Sequence, residues 1–456
     1  MSKQTQRIIN ASLLITISSM FVAGFIFDSI IFIVYYTVFI ATVILLKLLN
    51  KKEQTFDDTL TIFLSTIFFG FILAFMVNSD FVQNGETFFY PDQMHFYEEA
   101  NKLSLSNSVV DLIEKAFFLD YRAYQMVYFM FGILSYLDRI VSGSVNFLPL
   151  LYSVVYVTAF IPVFFYHTIK LYLPRLISLK SSLFYALLTP IIAYSGYLLR
   201  DMHITLLTMI ALFIMVRKVT ITRVIAMALL IPIAYHIRES NSLLLLAMLG
   251  IFVFTGKSSK KIKAISIVIG VAFLLYFSSE LLNTLTLTEN KLEGYSSFTS
   301  DKVQESAGIG GKLYGLPPII KEFSIILFSL SAFPFFSSLS ETISYQTFIM
   351  GVYSSITNIG WFFVFIGFIY FIKPIYKRIL KMPNKIFLYL LVLFVLFMVA
   401  NTTNMTFRRI ISVLPFIYIP FMLVYNDTSR KERNRYKSLV IFMGLSLYSI
   451  YLFLII

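Results

Sequence analysis

Long apolar runs separated by short polar turns dominate the chain. A helix needs about 20 apolar residues to cross the roughly 30 Å hydrocarbon core of a bilayer. The clearest runs of this length are Ile8–Phe27, Ser29–Leu48, Thr59–Val77, Asn146–Ile169 and Ser181–Leu199. Further candidates are Met202–Val216, Thr220–Tyr235, Ser242–Thr255, Lys263–Leu281, Met350–Ile372, Ile386–Ala400, Ile410–Tyr425 and Ser438–Ile455. The pattern predicts an all-α polytopic integral membrane protein with about 13 transmembrane helices.

Composition and charge support this prediction and set an orientation. Hydrophobic residues make up 58% of the chain and charged residues only 13%, whereas soluble domains carry about 25% charged residues. The net charge of +13 comes from basic residues in short loops, where the positive-inside rule places them in the cytoplasm. The charge therefore indicates a cytoplasmic N-terminus and no nucleic-acid partner.

Two moderately apolar stretches do not fit the alternation of crossings. The basic loops before Thr59 and after Ile169 are both predicted to be cytoplasmic, so an even number of crossings separates them. This leaves Tyr124–Ile140 as an interfacial or re-entrant helix, and Phe323–Leu339, which Pro334 interrupts, is interpreted in the same way. The resulting prediction is one transmembrane domain over residues 1–456, with interfacial helices in an outer loop at 78–145 and a re-entrant segment in a second outer loop at 282–346.

The first outer loop is acidic and carries the first candidate chemistry. If the loop is helical, Asp92, His95 or Phe96, and Glu99 lie on one face, so a carboxylate and an imidazole point the same way. General base catalysis needs such convergence. The alternative is a solvated acidic loop whose aromatic residues anchor it at the membrane surface.

Arginines in the outer turns run against the positive-inside trend. A guanidinium held near the membrane surface suits a lipid-linked phosphate or pyrophosphate. Alternatively, each arginine extends to anionic head groups or pairs with its neighbour, Arg200 with Asp201 and Arg238 with Glu239. The outer arginines are Arg200, Arg238, Arg408 and Arg409.

The sequence predicts no cofactor. It contains no cysteine, which excludes thiolate nucleophiles and zinc–thiolate sites. The spacing of His95, His203 and His236 matches no metal-ligand motif. Phosphate-binding loops, dinucleotide fingerprints and nucleophile elbows are also absent from the sequence.

Several of these segments together resemble a known family. The chain is similar to the GT-C superfamily of membrane glycosyltransferases and the related Wzy-type polymerases of O-antigen and capsule repeat units. The resemblance covers mainly residues 80–245. It rests on the segments Tyr90–Tyr97, Tyr128–Gly132, Ala186–Pro190 and Tyr194–Asp201. The chain departs from the family in lacking a large soluble C-terminal domain and the paired Asp-Glu of many such transferases.

The resemblance implies a GT-C-like fold and an active site on the outer face of a bacterial cytoplasmic membrane. The implied activity is polymerisation of undecaprenyl-pyrophosphate-linked oligosaccharide repeat units. Asp92 would be catalytic, and Asp201 would belong to a second polar site. The implied substrate-binding residues are His95, Glu99, Arg200, His203, Arg238, Arg408 and Arg409.

The implied partners are polyprenyl-linked oligosaccharides, membrane lipids and a chain-length regulator or other polysaccharide-assembly proteins. Two alternatives stay open. One is a transferase that adds a single sugar from a polyprenyl-phosphate donor. The other is a lipid-linked oligosaccharide flippase, which would place charges inside the spans and show internal repeats.

Overall fold

A computed structural model describes residues 3–84, 91–118, 124–255, 260–276, 316–333, 335, 345–382, 385–400 and 407–455. The described residues are almost entirely helical and contain no strand, which confirms the predicted all-α class. The chain forms two compact units. The first draws on Met1–Ile210, His236–Arg238 and Phe336–Asn358, and the second on Ala211–Tyr235, Glu239–Phe335 and Ile359–Ile456.

The helices follow the apolar runs of the sequence. In the first part of the chain they are α1 (Lys3–Phe27), α2 (Ile31–Leu49), α3 (Glu53–Asn84), α4 (Pro91–Ser104), α5 (Val109–Phe117), α6 (Gln125–Ser142), α7 (Phe147–Ile169), α8 (Arg175–Leu187), α9 (Pro190–Ser195) and α10 (Asp201–Met215). They continue with α11 (Ile221–Ile237), α12 (Glu239–Thr255), α13 (Lys260–Tyr276), α14 (Pro318–Ser331), α15 (Tyr345–Tyr370), α16 (Ile372–Leu380), α17 (Ile386–Ala400), α18 (Phe407–Ile410), α19 (Pro415–Asp427) and α20 (Arg430–Ile455).

Membrane embedding is supported by helix length and composition. Five described helical segments are long and apolar enough to cross a bilayer: Lys3–Ile26, Ile31–Leu49, Glu53–Met76, Phe147–Ile169 and Met350–Tyr370. Shorter apolar helices occur at Asp201–Met215, Ile221–Ile237, Glu239–Thr255 and Ile386–Ala400. The total of about 13 crossings stays a prediction, as do the GT-C-like fold and the orientation. Most of the second outer loop, 282–346, and with it Pro334, lies outside the described residues.

Two predicted spans are broken by proline. The prediction of one helix over Ser181–Leu199 is wrong, because α8 ends at Leu187 and α9 begins at Pro190. Proline has no N–H to donate and disfavours helical geometry at the residue before it. For the same reason the predicted span Ile410–Tyr425 becomes α18, a 3₁₀ turn and then α19, which starts at Pro415.

The core of the first unit is built around α3 and α7, which pack against each other. The interior of the unit buries 67% of the apolar window of α3 and 72% of that of α7, but only 17% of that of α1. The α1 helix therefore presents most of its apolar surface outward, as a lipid-facing helix does. On the other side, α8 and α9 pack against both α3 and α7.

A buried ion pair fastens one end of this bundle. The Asp58 carboxylate is fully buried and accepts hydrogen bonds from Arg175 Nε at 2.6 Å and Nη2 at 2.7 Å. It also accepts from the Tyr166 hydroxyl at 2.6 Å and the Gln6 amide at 2.9 Å. The hydrogen bonds to Asp58 raise the pKa of Arg175. In the sequence, Arg175 is only one of the basic residues in a short loop. In the structure, Arg175 ties α8 to α1, α3 and α7.

Candidate functional site

The part of the acidic segment that carries Asp92, His95 and Glu99 is helical, as the first of its two interpretations assumes. The α4 helix begins at Pro91 and packs against α6. Asp92 is half-buried, His95 is exposed, and Phe96 is only 3% exposed. The face shared by Asp92, Phe96 and Glu99 therefore turns towards the protein, while His95 sits at its edge.

His95 is held by α6. Its Nε2 lies 2.7 Å from the Tyr128 hydroxyl, and the two rings meet edge to face. Phe96 packs beside them against Tyr124, Tyr128 and Phe131. The helix predicted to be interfacial thus supplies an aromatic wall for the first candidate residues.

Arg200 joins the same wall from another part of the chain. Its guanidinium carbon lies 3.8 Å from the centroid of the Tyr124 ring. Its Nη1 also donates to the Ile237 carbonyl oxygen, at 3.4 Å. A cation over an aromatic face is stabilised by the ring quadrupole, so the Tyr124 ring and the Ile237 carbonyl together orient Arg200.

The site also contains an ion pair between Arg238 and Asp201. Arg238 Nη1 lies 3.0 Å from Asp201 Oδ1, and both side chains are largely buried, at 12% and 6% exposure. The alternative to phosphate binding predicts that Arg200 pairs with Asp201 and Arg238 with Glu239. In the structure Arg238 reaches across 37 residues of sequence to Asp201 instead, because the ends of α10 and α11 meet there.

Gln93 connects α4 to this ion pair and was missed by sequence reasoning. It is fully buried, and its Oε1 accepts a hydrogen bond of 2.8 Å from the backbone N–H of Leu198. This contact fixes the turn that leads into Arg200 and Asp201. The only signal for Gln93 in the sequence is its position next to the candidate Asp92, on the helix face opposite to the exposed positions.

His203 lies in the first turn of α10 and is 4% exposed. Its ring packs edge to face on Phe131, with 5.8 Å between centroids. The Leu199 backbone faces the ring, but neither ring nitrogen has a hydrogen-bond partner among the described residues. His203 is therefore buried beside Phe131, and its substrate-binding role stays a prediction.

The remaining predicted residues are placed less directly. Glu99 is 9% exposed and forms an ion pair with Lys102 one helical turn away, at 2.8 Å. Arg408 and Arg409 are half-buried in α18, which belongs to the second unit. Their contribution to the site stays a prediction.

Within the described ranges, no group of three or more His, Cys, Asp or Glu side chains is arranged to hold a metal ion. The described side chains at the site are carboxylates, guanidinium groups, an imidazole and phenol hydroxyls. Comparison with known proteins adds no family assignment. No protein-family profile matches the sequence, and no curated protein shows significant similarity to it.

Proposed function

We propose that the protein joins lipid-linked glycans, as a membrane glycosyltransferase that polymerises polyprenyl-pyrophosphate-linked repeat units. The observation that carries this proposal is the arrangement of Arg200, Arg238 and Asp201. Arg200 packs on Tyr124 at the start of α6, and Arg238 pairs with the adjacent Asp201. Two distant parts of the chain thus place charged groups together at the ends of apolar helices, and Gln93 of α4 contacts the turn that leads into them. Such groups are costly next to a bilayer and mark functional sites by default.

The site suits a sugar attached to a phosphate. Half-buried Tyr124 has an aromatic ring of the kind that stacks on sugar faces and lies against Arg200, while Tyr128, which is only 4% exposed, supports His95 from behind. A guanidinium provides several donors in a fixed plane, which matches phosphate oxygens. Half-buried Asp92 and exposed His95 are the groups that an acceptor hydroxyl would meet first.

The proposed reaction is a glycosyl transfer. The acceptor hydroxyl oxygen attacks the anomeric carbon of the donor, the bond from that carbon to the pyrophosphate oxygen breaks, and Asp92 takes the hydroxyl proton. Arg200 stabilises the negative charge that develops on the leaving pyrophosphate. Arg238 holds Asp201 and so keeps the turn in place, and a pyrophosphate-binding role for Arg408 and Arg409 stays a prediction from the family resemblance.

The test is the length of surface glycan in a strain that lacks the gene and carries either wild type or a variant. We expect deletion to leave single repeat units on the surface. Asp92→Asn and Arg200→Ala should fail to restore long chains, because a general base contributes about 10²- to 10⁴-fold in rate. Glu98→Gln, exposed on the same helix, and Arg139→Ala, exposed at the end of α6, are the matched controls and should restore them.

Other results discriminate among the alternatives. Truncated repeat units would indicate a transferase that adds one sugar, and complete units retained inside the cell would indicate a flippase. If both site variants restore full-length glycan at wild-type membrane levels, Asp92 and Arg200 are not in the mechanism.

A further inference from the structure

The second unit carries a surface that the proposed chemistry does not use. The short helix α16 follows α15 with only Phe371 between them, and α15 contains the candidate membrane span Met350–Tyr370. The α16 helix is therefore held at the level where the bilayer ends. It is strongly amphipathic, since Ile375 and Ile379 are buried and the residues around them are exposed.

A second basic stretch lies beside α16. Arg378 Nη2 is 3.3 Å from Asp427 Oδ2 at the end of α19, and α16 packs against α19. Only two residues separate Asp427 from the start of α20 at Arg430. We define the basic ledge as residues 372–382, Lys385 and residues 427–437. Ten basic residues in these segments stand against two acidic ones: Lys373, Lys377, Arg378, Lys381, Lys385, Arg430, Lys431, Arg433, Arg435 and Lys437.

An aromatic cluster makes the ledge rigid. Tyr436 is fully buried, and its ring contacts Phe363, Phe371 and Phe421. Its hydroxyl donates to the Phe363 carbonyl oxygen. The backbone that carries Arg435 and Lys437 is thereby fixed to the end of α15, while both basic side chains stay exposed.

Exposed apolar groups lie among the charges. Ile372 and Tyr376 are each 54% exposed, and Leu380 is 39% exposed. Basic residues with an aromatic and aliphatic side chains on a helix in the interface plane are typical of helices that sit on anionic lipid. Nucleic acid would be attracted by the same basic side chains, but it would gain no binding energy from the apolar side chains at the membrane boundary.

We propose that the basic ledge is a binding site for anionic phospholipid head groups. The ammonium and guanidinium groups contact the phosphates, and Ile372, Tyr376 and Leu380 enter the boundary between head groups and acyl chains. This inference is independent of the glycosyl transfer proposed above.

The test uses the absence of cysteine from the chain. Ser429→Cys, an exposed serine within the segment 427–437, carries a bimane fluorophore on the full chain in nanodiscs of phosphatidylcholine with phosphatidylglycerol. Brominated phosphatidylglycerol or brominated phosphatidylcholine is then added at equal mole fraction. We expect the anionic lipid to quench about threefold more strongly, because each basic residue near the surface attracts anionic lipid.

Two variants and one salt series complete the experiment. Lys373→Gln/Lys377→Gln/Lys381→Gln should reduce the quenching ratio to near one. The matched control Lys47→Gln/Lys51→Gln/Lys52→Gln removes three lysines from another turn and should keep the ratio. Raising ionic strength from about 0.1 M to about 1 M shortens the Debye length from about 10 Å to about 3 Å and should also lower it.

Three results would overturn the proposal. The first is equal quenching by both lipids in the parent protein, and the second is an unchanged ratio in the ledge variant. The third is no quenching by either lipid, which would place the ledge away from the bilayer and favour a soluble acidic partner instead.

Discussion

The buried carboxylate of Asp58 provides a sharp test of what holds the first unit together. Asn is nearly the same size, so Asp58→Asn removes the charge without creating a cavity. The Arg175 guanidinium would lose its counter-ion, and the hydroxyl of Tyr166 and amide of Gln6 would compete for a weaker acceptor. Removing one partner of a buried pair costs about 3–5 kcal/mol.

The exposure of the two side chains narrows the loss of stability expected for Asp58→Asn. The Asp58 side chain is 0% exposed, but the Arg175 side chain is 37% exposed, so water partly compensates the lone guanidinium. We therefore expect the lower end, about 3 kcal/mol. Glu53→Gln on the same helix is the control. The Glu53 side chain is 51% exposed, and it pairs with exposed Lys3 and Arg7. Exposed pairs contribute only about 0–1 kcal/mol.

The assay is reversible unfolding of the full chain by SDS in mixed micelles, followed by helical circular dichroism. A double variant, Asp58→Asn with Arg175→Gln, should cost less than the sum of the single variants by at least about 1 kcal/mol, because both report on one interaction. If Asp58→Asn costs no more than Glu53→Gln, or the two effects add, then the Asp58 pair does not fasten α8 to the bundle.

Two further substitutions test close packing and the turn before Asp201 in the same unfolding assay. A Cβ on Gly367 would lie 2.7 Å from the Tyr436 hydroxyl oxygen, so Gly367→Ala should destabilise by about 1–3 kcal/mol. Gly250→Ala has open space within 4 Å and should be neutral or stabilising, and an equal loss in both would contradict the packing argument. Gln93→Leu removes the acceptor for the Leu198 N–H and should cost about 1–3 kcal/mol, whereas a change below about 0.5 kcal/mol would mean that this hydrogen bond does not hold the turn.

Hydrophobic runs predicted the first helices well, because length and composition alone decide whether a segment can span a bilayer. The predicted span Asn146–Ile169 corresponds to α7 at Phe147–Ile169. The prediction of one helix over Ser181–Leu199 was wrong because the average hydrophobicity of a segment does not show the break that Pro190 imposes. Proline positions carry this information, and weighting them would have divided the run correctly.

Ion pairs between residues that are distant along the chain could not be predicted from the sequence. Asp58 and Arg175 are separated by 117 residues, and nothing in their local sequence distinguishes them from other charges at helix ends. Arg238 shows the same limit, since its neighbour Glu239 was the local choice and Asp201 is the partner observed. Sequence indicated which residues are unusual in an apolar chain, but only the fold shows which of them meet.

The two buried polar clusters of the first unit differ in how completely they are paired. Around Asp58, both carboxylate oxygens are hydrogen-bonded by protein donors. Near Asp201, the Gln93 Nε2 and both His203 nitrogens are buried without a hydrogen-bond partner among the described residues. Each such group costs about 1–3 kcal/mol, and a fold keeps local conflicts of this kind mainly at functional sites. The full pairing of the Asp58 carboxylate is therefore explained by architecture, whereas the unpaired groups near Asp201 fit the binding role proposed above.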